Sequence, residues 1–87
     1  MRGGPIFVHW PPRYTEHARI EMCSRGRQRG RAPISEEDVE YVLEHGEYLG
    51  FTIRGNWAWG GRVGGRTVRV VVQPYSDPPL VKTVMSP

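Results

Sequence analysis

Residues 56–73 read Asn56-Trp57-Ala58-Trp59-Gly60-Gly61-Arg62-Val63-Gly64-Gly65-Arg66-Thr67-Val68-Arg69-Val70-Val71-Val72-Gln73, and this stretch decides the fold. Two runs rich in Trp, Val and Thr flank a Gly-Gly pair, which is the pattern of two antiparallel strands joined by a two-residue turn. With the turn at Gly64-Gly65, Val63 pairs with Arg66, Arg62 with Thr67, and the register continues inward from there. Side chains alternate along a strand. One face therefore carries Trp57, Trp59, Val63, Val68, Val70 and Val72, and the other carries Ala58, Gly60, Arg62, Thr67, Arg69 and Val71. The first is a core face. The second is small and basic, with room beside Arg62 and Arg69. A face of that kind either receives a polyanion or is ordinary solvated surface.

Working outward, Tyr48–Ile53 and Leu80–Met85 read as further strands, the second after the loop marked by Pro74 and Asp77-Pro78-Pro79. Upstream lies the clearest helix signal in the chain. Ser35 is followed three residues later by Asp38, a capping box with Asp in place of the usual Glu or Gln, and Ile34 and Val39 are spaced as a hydrophobic staple. Val39, Val42 and Leu43 make one apolar stripe, and Gly46 stops the helix. An earlier helix starts at Thr15 as N-cap, with Glu16 in its first turn and Ala18 and Met22 on one face, and it ends from Gly26. Ile6-Phe7-Val8 offers an additional N-terminal edge strand, ended by Pro11-Pro12. The expected architecture is α+β, with two N-terminal helices packed on a four-stranded, mostly antiparallel sheet. Residues 1–87 form one domain with an N-terminal segment, 1–12, and a basic loop over 27–33.

Charge is segregated along the chain. Arg13, Arg19, Arg25, Arg27, Arg29 and Arg31 crowd one stretch, and Glu36, Glu37, Asp38, Glu40, Glu44 and Glu47 follow with no cation among them. Arg54, Arg62, Arg66, Arg69 and Lys82 then face only Asp77, for a net charge of +3. Lys82 is the one lysine among the 12 cations. Arginine presents a planar fork matched to phosphate, although a compositional bias toward Arg would look the same. Cys23 stands alone, which excludes an internal disulfide, and it reads as a small core residue. His9, His17 and His45 fall into no metal-ligand spacing with it. The sequence contains no apolar run long enough for a signal peptide or a span, so a reducing cytoplasm is the expected compartment, with no cofactor and no membrane partner.

The run Thr15-Glu16-His17-Ala18-Arg19-Ile20-Glu21-Met22, then Arg25-Gly26, Ile34-Ser35-Glu36-Glu37-Asp38-Val39 and Val42-Leu43 with Gly46, resembles a small bacterial and archaeal family with an H-A-x-x-R…R-G…I-S-x-x-D-V signature. The Arg62–Val72 segment and Val81-Lys82-Thr83-Val84 resemble its hairpin and closing strand. The segment from Arg27 to Pro33 is an insertion relative to that pattern, and Arg19 falls out of step with the family's arginine. The family is similar in layout to the RelE/ParE-type toxins. That likeness implies a metal-independent endoribonuclease acting on RNA, with His17 as base and Arg62 and Arg69 holding the phosphate, joined by Tyr75 or Lys82. The alternative is a non-catalytic module that binds a protein partner, such as a small acidic antitoxin or a ParE-like target. A third reading is plain nucleic-acid binding through Arg25, Arg27, Arg29 and Arg31. Trp10, flanked by His9 and Pro11, is placed either to stack a base or to cover the sheet edge.

Overall fold

A turn that needs two left-handed residues in succession sets the frame of the molecule. The computed structural model describes residues 4–28 and 32–86. Along the chain these form β1 (Arg13–Tyr14), α1 (Glu16–Gln28), α2 (Glu36–His45), β2 (Glu47–Phe51), β3 (Trp57–Val63), β4 (Arg66–Val72) and β5 (Leu80–Met85). Gly64 and Gly65 join β3 to β4 with φ of 57° and 81°, values that a side chain would oppose. The register is the predicted one: Val63 opposite Arg66, Arg62 opposite Thr67, and Trp57 opposite Val72 at the far end.

The sheet has five strands in the order β1-β5-β4-β3-β2 and is mixed. β2 to β5 form the expected antiparallel meander, while β1 pairs in parallel with β5 through Arg13 opposite Leu80 and Tyr14 opposite Val81. The fifth strand is therefore not Ile6–Val8. Pro11 and Pro12 have no N–H to donate, so the ladder begins only at Arg13, whose N–H reaches the Pro79 carbonyl at 2.8 Å. Ile6–Val8 instead runs as a strap over the end of the sheet. The Asp77 carboxylate accepts hydrogen bonds from the Val8 and His9 N–H groups, and Phe7 packs against Trp57 and Trp59.

α1 packs on β5, and α2 packs on β3 and β4. Between helices and sheet lies one core, built from Ala18, Met22, Ile34, Val39, Val42 and Leu43 on one side and Trp57, Trp59, Val68, Val70, Val72, Val81 and Val84 on the other. Both helix starts behave as read. Thr15 Oγ1 accepts the Ala18 N–H, and Ser35 and Asp38 form the reciprocal capping box. Cys23 departs from expectation: it is exposed. At about 100° per residue it lies about 140° round the helix from Ala18, whereas Met22 is only about 40° away, so the apolar face includes Met22 but not Cys23. The helix also runs through Gly26 to Gln28. One internal glycine costs only about 1 kcal/mol, and Arg25 and Arg27 thus belong to α1 and not to a loop.

Gly46 ends α2 for a reason that the sequence does not show. Its φ is −77°, which any residue adopts. A Cβ there would, however, strike the Val42 carbonyl oxygen and come within 2.7 Å of the Gly60 carbonyl oxygen. The helix end and β3 meet backbone to backbone. We expect Gly46→Ala to cost about 1–3 kcal/mol, as overpacking does, and Ser35→Ala about 1 kcal/mol as a lost cap, both read from chemical denaturation midpoints. Equal stability of the Gly46→Ala protein would mean that the two backbones separate without cost.

Candidate functional site

The two helices cover the Trp-bearing face of the sheet, so the face carrying Arg62 and Arg69 is left open. Its character is set less by the hairpin than by the flanking strands. Leu49 of β2 lies over Gly60, where an added Cβ would meet Leu49 Cδ1 at 3.2 Å, so the space expected there is filled. Around the centre, Phe51, Ile53, Arg54, Arg69, Val71 and Met85 line a shallow hollow of about 460 Å³. Leu49, Phe51 and Ile53 are 49%, 70% and 106% exposed. The surface is thus an apolar patch set with arginines, where a bare basic face was expected.

The arginines differ in their commitments. Arg62 turns toward the hairpin tip and donates from Nη2 to the Gly65 carbonyl at 3.0 Å. Arg66 projects to the core side, donating to the Ala32 carbonyl at 2.8 Å and lying 3.8 Å from the Asp38 carboxylate, and so ties the start of α2 to the hairpin. Arg69 is different: its Nε–H is buried and meets no hydrogen-bond acceptor among the described residues. A buried donor left unpaired is costly. Arg19, whose place in the family pattern is out of step, stacks over the Tyr14 ring at 4.9 Å and pairs with Glu36 at 3.0 Å, bridging the helices. Burial foremost, then the Glu36 and Glu40 carboxylates, pushes the Tyr14 hydroxyl above its ordinary range.

His17 stands on the other side of the sheet. Its ring is 70% exposed in the first turn of α1, with Nε2 3.4 Å from Glu21 Oε1. Glu21 is the buried acid of the helix and accepts the Val84 N–H at 3.2 Å. α1 begins at the sheet edge, where Thr15 Oγ1 donates to the Lys82 carbonyl. No contact joins His17 to Arg62 or Arg69 among the described residues. Arg25 and Arg27 lie on the α1 backbone, and Arg29 and Arg31 lie outside the described residues. Tyr75 is 88% exposed, edge-on to Trp57 at 5.1 Å. Trp10, 41% exposed, donates from its indole to Glu40 at 3.4 Å.

A second hollow, of about 550 Å³, lies where the strap meets the end of α2, lined by Phe7, Trp10, Leu43, Glu44 and Trp59 among others. Hairpin reasoning missed it because it depends on where the N-terminal segment lands. The sequence signal for it was the run Phe7-Val8-His9-Trp10 ahead of two prolines. Among the described residues no three His, Cys, Asp or Glu side chains gather as a metal site, and no helix is long and apolar enough to cross a membrane. No family model, curated protein or solved structure matches the chain.

The strap depends on one carboxylate. The hydrogen bond from the His9 backbone, with further help from the His9 ring and the Val8 N–H, holds the Asp77 carboxyl below its ordinary value of 3.8. Its support for the strap is complete above that ordinary value and is lost as pH falls through the lowered folded value. We expect Asp77→Ala to accelerate amide exchange at Val8 and His9 at neutral pH, and acid to do the same in the parent protein while the β3–β4 amides stay protected. Unchanged exchange at both residues would show that the strap is held by Phe7 alone.

Proposed function

We propose that the protein is a non-catalytic binding module that receives an acidic, apolar segment of another protein on the open face of its sheet. One observation carries this reading: the exposed Phe51 and Ile53 border a hollow that Arg54 and Arg69 also line. Exposed apolar patches rimmed by polar groups mark interaction surfaces. The charge chooses the partner. Arg54 and Arg69 line the hollow and no acid does, so a carboxylate-bearing segment is favoured. A second copy of the same face would set arginine against arginine. The ribonuclease reading needs His17 and the two arginines at one phosphate, and support for it is weaker: His17 pairs with Glu21 on the helix side, and Arg62 is committed to the Gly65 carbonyl.

The test is a binding titration of the purified protein with a labelled amphipathic peptide made in acidic and basic versions, alongside a structured RNA with and without chelator. We expect saturable binding of the acidic peptide, weakened by salt and by Arg69→Glu. Ile53→Asp, at a fully exposed position, should weaken it about tenfold, equivalent to about 1.4 kcal/mol, without lowering stability. Equal binding of the two peptides, cleavage of the RNA, or a dimer that Ile53→Asp dissociates would each overturn the proposal.

A further inference from the structure

We propose that the hollow between the N-terminal strap and the end of α2 is a binding site for a methylated ammonium group. It is lined by Phe7, Trp10 and Trp59, the last a core residue 3% exposed at its floor, together with Leu43 and Glu44. The face of an aromatic ring attracts a cation through its quadrupole, with Trp the strongest, and cages of such rings suit ammonium groups that carry methyls. The charge around the hollow has the matching sign. Among the described residues no Arg or Lys lines it. Glu44 is exposed and has no ion-pair partner among the described residues, and Glu40 of the same helix already accepts the Trp10 indole N–H at 3.4 Å.

The choice of a methylated over a primary ammonium follows from hydrogen bonding. A lysine ammonium carries three N–H donors, and each one left unpaired on leaving water is unfavourable. Among the described residues, the side chains that line this hollow offer one acceptor group, Glu44. A trimethylammonium has no donor to satisfy, presents only polarised methyls to the rings, and needs from Glu44 nothing but its charge. The site is held in shape before any ligand arrives. Phe7 is packed 5.6 Å from Trp59, Tyr48 packs on Trp59 at 5.1 Å, and the Asp77 carboxylate anchors the two residues that follow Phe7. The volume, about 550 Å³, lies within the range of small-molecule pockets. It leaves room for the chain that carries the ammonium, so a free cation of the choline type and a methylated lysine of a protein share the chemistry.

The site is separate from the open sheet face and does not rest on the function proposed for it. The experiment is an NMR titration of the purified protein, following the Trp10 and Trp59 indole N–H signals. The probes are tetramethylammonium, choline, a peptide carrying trimethyllysine, the same peptide unmodified, and 3,3-dimethylbutanol as the neutral carbon analogue of choline. We expect saturable shifts with the methylated cations. The unmodified peptide and the neutral analogue should bind at least about tenfold more weakly. Tighter binding of the trimethyllysine peptide than of choline would identify a methylated protein as the source, and the reverse a free small cation. Trp10→Ala, at a partly exposed position, and Glu44→Gln should each weaken binding while the denaturation midpoint holds. Ile53→Asp should leave it unchanged. Equal binding of the neutral analogue, equal binding of the unmodified peptide, or no saturable shift with any cation would overturn the proposal.

Discussion

The register of the β3–β4 hairpin is the constraint on which everything else rests. Because side chains alternate, a slip of β4 by one residue against β3 would turn Val68, Val70 and Val72 to the open face and bury Arg69 beneath the helices. Gly64 and Gly65 prevent that slip by supplying the two left-handed residues that a tight turn needs. The valines of β5 then fall into line, with Val84 opposite Val70 and Val81 opposite Val72. The core is thus a consequence of one turn, and so is the identity of the face that remains uncovered.

The helices are placed by polar contacts at the edges of this frame. β1 is too short to pair with the whole of β5, and the N–H of Val84 would be left over. The Glu21 carboxylate takes it, while Thr15 caps α1 and also holds the Lys82 carbonyl. A buried acid is tolerable there because its charge meets a backbone donor. α2 is fixed at its start by Arg66 and at its end by the direct approach of Gly46 to Gly60. These anchors leave no freedom to move a helix onto the open face.

Charge is sorted to match. Glu40 and Glu44 of α2 face the strap and the aromatic hollow, whereas Arg54 and Arg69 belong to the opposite side of the sheet. On the functions proposed above, the two surfaces differ in preference, one for a cation with apolar bulk and one for an acidic apolar segment. A small chain without a deep interior pocket gains selectivity in this way, by combining shallow apolar surface with one sign of charge on each side.

Local chemistry made much of this legible from residues alone. The hairpin, its two faces, the capping box at Ser35 and the strand Leu80–Met85 all follow from patterns that act within a few residues, where backbone geometry and alternation leave little choice. What lay beyond the sequence were the meetings of distant segments. Nothing near Ile6–Val8 says that Asp77 will hold it as a strap, and nothing near Arg13 says that it will pair with Leu80. Cys23 was misread because two apolar residues next to each other on a helix do not share a face. The open surface was misread because Leu49, Phe51 and Met85 come from other strands and change a face that the hairpin alone had made basic. Turn type, caps and periodicity are local and can be read along the chain. Which strand lies at an edge, which face stays open and what fills the space beside a glycine are decided by packing, where residues far apart in sequence compete for the same volume.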